Sequence, residues 1–369
     1  MRIKSMVIIL ILITAFSQTA VYASEEAQRP ELTVGQALTM AVSNSGNIKS
    51  LQESEVSLKN TVTSARDTML DSTTNTAYVN AYKSMTEAQL SLSLLETDTK
   101  VQKEKLEYNL KSYFAQIIAA ENNLALTDKQ LELDKRSLDI SALRLQLGLI
   151  SQSAYDSAVY SYESALISRD NAAANIDSYY RSLNDLMGQR LDKKYTLVLE
   201  LDYEPIGDSF NMTTSIARAI ENSSDIKNLE KKVYLAQYDA DTKTYQLLDN
   251  NGNFTVTEYN TAKQEAGNAV AQAARNLENS KTSIEMNLRS NYDSIKGLER
   301  TYESSVKELA QLQSELGILQ AKLELGKVTQ LEVDLKALSV EKTEEIIRST
   351  VYDHEIKLMT LINPDLASQ

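Results

Sequence analysis

The chain of 369 residues contains no cysteine and no tryptophan, one histidine, three prolines and ten glycines. Each scarcity excludes something. Without cysteine there is no disulfide, no thiolate metal ligand, no thiol nucleophile and no lipid-modified cysteine, so an exported chain of this kind must hold itself together by packing alone. The prolines are Pro30, Pro205 and Pro364, and the long stretches between them are rich in Ala, Leu, Gln, Glu and Lys. Such stretches suit long uninterrupted helices. The lone His354, in "YDHEIK", falls inside a helical pattern with no cluster of metal-ligating His and Cys around it. No glycine-rich run forms a phosphate cradle. Acidic pairs such as Glu344 and Glu345 read as solvated helix face rather than as a paired acid and base. No catalysis and no cofactor or metal is therefore expected. A formal net charge of -13 supplies no general basic field for phosphates, which argues against nucleic acid as a partner.

Long apolar runs are scarce too. One stands at the start, where basic "MRIK" precedes "MVIILILITAF" and the small-residue pattern "VYA" before Ser24. This reads as a secretory signal peptide, residues 1–23, cut after Ala23. The alternative is a retained anchor, although the run is short of the roughly 20 residues a spanning helix needs. No later stretch is long enough to cross a membrane as a helix.

What the chain does have, it has twice. "ALTMAVSNSGNIKSLQ" from Ala37 aligns with "SIARAIENSSDIKNLE" from Ser215, pairing Ala41 with Ala219, Asn44 with Asn222, Ile48 with Ile226, Lys49 with Lys227 and Leu51 with Leu229 at a constant offset of 178. An offset this long marks two copies of one supersecondary unit rather than a solenoid of small repeats. Leu110, Ile117, Leu124, Leu131, Leu138 and Leu145 fall seven apart, as do Leu288, Ile295, Tyr302, Leu309, Leu316 and Leu323, again shifted by 178. A sustained seven-residue period calls for helices that supercoil with a left-handed twist.

The repeats span 32–188 and 213–364, with a linker at 189–212. In the first, Thr33 is placed to cap a helix with Gln36 in the box position, and an arm runs to about Leu70. "DSTTNTAYVN" weakens the helical signal before a second arm from about Ala81 to Leu147, and a third runs from Ser151 to Met187 and stops at Gly188. The second repeat gives arms at about 213–246, 258–325 and 329–362, with "LLDNNGNFTV" as its first break, a turn signal with a brief β-like tail. The linker holds an alternating strand candidate at Tyr195–Tyr203, readable as an edge strand or as extended chain.

Gly148 and Gly326 end the long arms at equivalent positions. A glycine after a helix commonly takes a left-handed backbone position, and Ser151 and Thr329 just beyond can cap the next helix. Residues 148–151 and 326–329 are therefore tight hairpin tips between antiparallel helices. Any αα-hairpin needs such a turn; a functional reading comes from two matched tips at the ends of very long rods.

These motifs together resemble the outer membrane efflux protein family, the TolC-like channels. The resemblance rests on "ALTMAVSNSGNI" and "IARAIENSSDI", on the Leu-x-x-Gly-x-x-Ser/Thr runs "LQLGLIS" and "LELGKVT" before the third arms, and on "SLNDLMG" at Ser182–Gly188. It covers about Leu32 to Pro364. In that family three chains build a helical barrel across the periplasm, and strands from all three cross the outer membrane. The resemblance implies a homotrimer that works with an adaptor protein and an inner-membrane transporter in efflux or type I secretion. It implies adaptor contact at Leu147, Gly148, Leu149, Ile150 and Ser151 and at Leu325, Gly326, Lys327, Val328 and Thr329. The family's pore-closing acidic residues lie just past the second tip, where Glu332 matches one position and Leu335 the other, with Asp334 beside it.

The departure is at the opposite ends. Family members insert β-hairpins between the first and second arms, with strands of roughly 9–11 residues. "DSTTNTAYVN" and "DNNGNFTVTEYN" cannot supply two such strands each. The expected fold is all-α: duplicated long antiparallel hairpins forming a TolC-like helical coiled-coil domain with little or no β-barrel, so that direct membrane insertion is not expected. Two explanations stay open, a helical component of an envelope without an ordinary outer membrane, or a relative whose membrane attachment comes from another protein. Either places the chain in the cell envelope, periplasmic or outer-membrane associated. The rival reading is a coiled-coil spacer or binding protein with no channel.

Overall fold

The computed structural model describes residues 29–207, 210–248 and 255–366. The expected signal peptide and residues 249–254 of the second break lie outside them. Eight helices account for most of the described chain: α1 (Val34–Asn44), α2 (Gly46–Leu70), α3 (Asn75–Gln146), α4 (Gln152–Met187), α5 (Met212–Asn222), α6 (Ser224–Leu248), α7 (Val256–Glu324) and α8 (Gln330–Ile362). A 3-10 turn at Pro364–Leu366 follows. Two three-residue strands, β1 (Glu31–Thr33) and β2 (Thr196–Val198), pair in parallel with Leu32 opposite Leu197.

The duplication is visible in the helix ends. α1 and α5 have 11 residues each, α2 and α6 have 25 each, and both pairs begin and end 178 positions apart. Local chemistry sets these ends. Thr33 and Gln36 make the expected reciprocal capping box at the start of α1. The first arm, expected as one helix, is two. Ser45 leaves helical geometry and its hydroxyl accepts the Ile48 N–H at 3.3 Å, as Ser223 does for Ile226 at 3.3 Å. α3 starts at Asn75 rather than near Ala81, because Thr74 accepts the Ala77 N–H at 3.2 Å and the break shrinks to 71–74. The β-like tail expected before α7 is instead a second capping box, Thr255 with Glu258. The strand candidate in the linker is realised over Thr196–Val198 alone, and β1, which carries no sequence signal of its own, is its partner.

α3 and α7 are the long members. With 72 residues at 1.5 Å each, α3 is ~108 Å long. On one half of their length they pair with α2 and α6, on the other with α4 and α8. The repeats join through α3, which packs against α6 on the first half and α8 on the second. The layer therefore reads α2–α3–α6–α7 on one half and α4–α3–α8–α7 towards the tips, with α7 at one edge and α2 and α4 at the other.

The densest packing lies at mid-length. Leu110, Phe114 and Ile117 of α3 are fully buried with Ala37 and Ala41 of α1, Tyr180, Leu183 and Met187 of α4, and Leu32 and Tyr195 from the strand region. Leu288 and Ile295 of α7 form the counterpart with Ala219, Ile226 and Leu361. Burial of each large side chain contributes roughly 1.5–3 kcal/mol. Towards the tips the heptad seam is less completely buried: Leu131 stays buried, but Leu124, Leu138 and Leu145 are half-buried, as are Leu309, Leu316 and Leu323. The cross-repeat seam is tied by Lys129 to Glu341 at 2.5 Å, Arg136 to Asp334 at 3.1 Å and Asn122 to Glu345 at 3.0 Å. On the other half, Lys83 pairs with Asp239 at 2.5 Å and Tyr82 stacks on Tyr238 at 5.4 Å.

Candidate functional site at the paired helical tips

The two tips are the same structure written twice. Gly148 has φ 70° and Gly326 has φ 66°. At neither would an added Cβ meet any atom within 4 Å, so the backbone conformation and not space requires glycine. The Leu149 N–H donates to the Arg144 carbonyl at 2.8 Å and the Lys327 N–H to the Lys322 carbonyl at 2.9 Å, closing both helices as Schellman turns. Arg144 and Lys322 are also equivalent cations in the last turns, where they complement the helix dipole. Ser151 accepts the Ala154 N–H at 3.2 Å and Thr329 the Glu332 N–H at 3.3 Å. Gln152 reaches Asp156 at 2.7 Å, as Gln330 reaches Asp334.

The side chains beyond these bonds face outward. Leu147 is 67% exposed and its equivalent Leu325 69%. One heptad earlier, Ile140 and Ile318 are equivalent and also exposed. Leu143 and Leu149 add to the first tip, while Ile150 and Val328 are half-buried. Each tip thus carries an apolar stripe along one helix face with nothing in the described chain to cover it. Lys327 replaces Leu149 at the second tip, so the first tip is the more apolar of the two.

The acidic candidates past the second tip have structural partners. Glu332 is exposed, and one oxygen accepts from the Thr329 N–H at 2.7 Å and its hydroxyl at 2.8 Å, which together hold the carboxyl below the usual range. Its counterpart at the first tip is Ala154, so the capping box exists only at the second. Asp334 accepts from Arg136 and from Gln330. Leu335, next to Asp334, is 39% exposed.

His354, read from the sequence as a surface or partly buried helix residue, is fully buried. Its Nδ1 lies 3.1 Å from Glu355, and Nε2 is 3.6 Å from Glu299. Glu299 accepts the Ile206 N–H at 2.6 Å, and Tyr203 stacks on Tyr302 at 4.0 Å and tilts over His354 at 5.0 Å. The cluster fastens the inter-repeat linker to α7 and α8. Only "YEPI" at Tyr203–Ile206, an aromatic and an aliphatic flanking a proline, hinted at docking. Among the described residues no group of three or more His, Cys, Asp or Glu is placed to hold a metal ion, and no helix is long and apolar enough to cross a membrane.

No protein-family model matches the sequence, and no curated protein is recognisably similar to it. The fold does have counterparts among solved structures. The outer membrane channel CmeC of Campylobacter jejuni superposes with a TM-score of 0.66 at 13% identity, covering 95% of this chain and 93% of that one. The outer membrane protein VceC of Vibrio cholerae gives 0.65 at 12%, covering 89% and 95%. A membrane protein of Pseudomonas aeruginosa gives 0.64 at 12%, covering 90% and 93%. The chain shares the TolC-type helical architecture of outer membrane channels, and the strands described in it have three residues each, far short of a membrane-crossing strand.

Proposed function

We propose that the chain is a conduit component of an efflux or type I secretion system in the cell envelope, exported by the segment 1–23 and assembled as a homotrimer. Its tips, Leu147–Ser151 and Leu325–Thr329, dock to an adaptor that links it to an inner-membrane transporter. Cargo passes along the assembly unmodified. The observation that carries the reading is the matched pair of tips, alike in backbone, caps and exposed apolar stripe, on a fold shared with outer membrane channels. Apolar stripes at i and i+7 are what a partner helix or groove recognises. Glu332 supplies acidic wall charge just inside the second tip, beside Asp334, whose charge Arg136 offsets across the internal seam.

One observation favours the rival coiled-coil spacer: no described strand can cross a membrane. Cells lacking the chain separate the two. The conduit reading expects accumulation of a fluorescent efflux substrate, restored by the wild-type chain. Leu147→Asp with Leu325→Asp, both at exposed positions and compatible with folding, should fail to restore it while remaining helical and assembled. Full restoration by the double variant would rule out docking through these stripes, and unchanged dye levels on deletion would leave the spacer.

A further inference from the structure

We infer that the two open edges of the chain are the halves of one interface between copies, α7 of one copy against α4 and α2 of the next, and that Lys307 and Glu163 pair across it. The inference rests on the assembly part of the proposed function and specifies its contact.

The internal duplication makes the argument. At the offset of 178, α3 corresponds to α7, α4 to α8 and α2 to α6. Inside the chain α3 packs against both members of its own repeat, α2 and α4, and against α6 and α8 of the other. Its equivalent α7 packs against its own α6 and α8 and has no counterpart of the other two neighbours. The missing neighbours are α2 and α4, which lie at the opposite edge of the same chain. A second copy is the one way to bring them together. The contact joins unlike surfaces, head to tail, and such contacts build rings when their rotation closes.

Side chains on the two edges fit this placement. Leu338 and Glu345 of α8 are each 4% exposed, since α8 has a helix on both sides. Their equivalents on α4, Tyr160 and Ile167, are 74% and 64% exposed. Large apolar groups stand at the α4 positions whose α8 counterparts are buried. The charges agree. Lys129 of α3 and Glu341 of α8 form the ion pair across the internal seam. Their equivalents are Lys307 on α7 and Glu163 on α4. Residue types are retained at both ends of the pair, both side chains are exposed, and neither has an ion-pair partner among the described residues. Within one chain they are held on opposite edges. Between copies they meet as Lys129 meets Glu341.

The test uses the full mature chain. Glu163→Lys and Lys307→Glu, each alone, place like charges across the contact and should raise the concentration of half-assembly roughly tenfold or more. The double variant restores the pair with reversed polarity and should assemble within about twofold of wild type. Because the chain has no cysteine, Glu163→Cys with Lys307→Cys gives a unique thiol pair. A short bismaleimide should link these thiols between copies and yield covalent oligomers. Single reversals without effect, no recovery in the double variant, or linkage within single chains would overturn the assignment. An assembly that forms normally through all these variants removes this interface and leaves the conduit reading standing. A wild-type chain that stays monomeric at every concentration removes both.

Discussion

Replacing Gly188 with Ala should be distinctly worse than replacing Gly148 with Ala, although both glycines have the same left-handed backbone. Gly188 has φ 65° and Gly148 φ 70°. A non-glycine residue in that region costs roughly 1–2 kcal/mol. The lost freedom of the unfolded chain returns about 0.4–1 kcal/mol. At Gly148 nothing else happens, because the added Cβ meets no atom within 4 Å. The net cost there is about 1 kcal/mol, felt at the tip. At Gly188 the new Cβ would lie 2.6 Å from Asn44 Oδ1, 2.7 Å from its Cγ and 3.2 Å from its Cβ. Asn44 is too short to swing only its end away, so it must leave. Its Nδ2 donates to the Asp185 carbonyl at 3.1 Å, the bond that joins the end of α1 to the end of α4. Losing it costs roughly a further 1 kcal/mol, and the displaced side chain adds strain of similar size. The expected totals are about 1 kcal/mol for Gly148→Ala and about 3 kcal/mol for Gly188→Ala. Denaturation midpoints read the difference globally. Hydrogen exchange localises it, to the turn amides for the first variant and to the facing ends of α1 and α4 for the second. Asn44→Ala closes the cycle: combined with Gly188→Ala it should cost less than the sum of the two single changes. Equal effects of the two glycine variants, or additivity in the cycle, would refute the steric account.

Two further outcomes follow from burial and charge. Ile117→Ala, at a fully buried position of the mid-length core, should cost about 2–5 kcal/mol, whereas Leu145→Ala, half-buried on the same heptad seam, should cost well under that in the isolated chain; comparable losses in denaturant titrations would mean the seam is packed evenly along its length. Burial pushes Glu299 up, but the hydrogen bonds from Lys296 and the Ile206 N–H, with the charge of Lys296 and the His354 ring close by, outweigh it and hold the carboxyl below its usual range. Its stabilisation is complete above the unfolded-state pKa and is lost as pH falls through the lower folded-state value. Burial raises Glu345 despite Arg348 and Asn122, so its ionised form costs stability near neutrality and that cost fades as pH falls through the raised value. Glu299→Gln should therefore destabilise at pH 7 and flatten the acid limb of the stability curve, while Glu345→Gln should be neutral or stabilising at pH 7; the same sign for both in melts across pH 3–7 would contradict the assignment.

Much of this architecture could be read from the chain because it is local or repeated. Capping boxes, left-handed glycines and heptads act within seven residues, and the offset of 178 let one copy check the other; Thr33, Gly148, Thr329 and the ends of α4 and α8 followed from such signals. The break at Ser45 did not stand out, since one serine among many polar residues looks like helix surface until its hydroxyl is seen on the Ile48 N–H. β1 was invisible because a three-residue strand gains its meaning from Leu197, 165 positions away from Leu32. Apolar exposure at Leu147 and Leu325 was expected of the tips, but the extension of each stripe back to Ile140 and Ile318 was hidden. Sequence places them in a Leu-rich helix, and their exposure depends on which neighbours the long rods acquire. The burial of His354 and Glu299 likewise depends on where the linker crosses.

The places where the repeats differ carry as much information as those where they agree. The internal seam has Tyr82 on Tyr238, Lys83 on Asp239, Arg136 on Asp334 and Lys129 on Glu341. The equivalent pairs on the open edges are Asn260 with Asn60, Thr261 with Thr61, Ser314 with Asp156 and Lys307 with Glu163. One ion pair of three is retained, and the aromatic stack is replaced by amides. If copies meet at these edges, the contact between them is electrostatically and aromatically poorer than the one inside each chain. The internal seam then forms with the fold, and assembly follows as a separate, weaker step that salt should loosen first, since the exposed Lys307–Glu163 pair is screened at high ionic strength. A conduit built this way would widen between copies rather than within them.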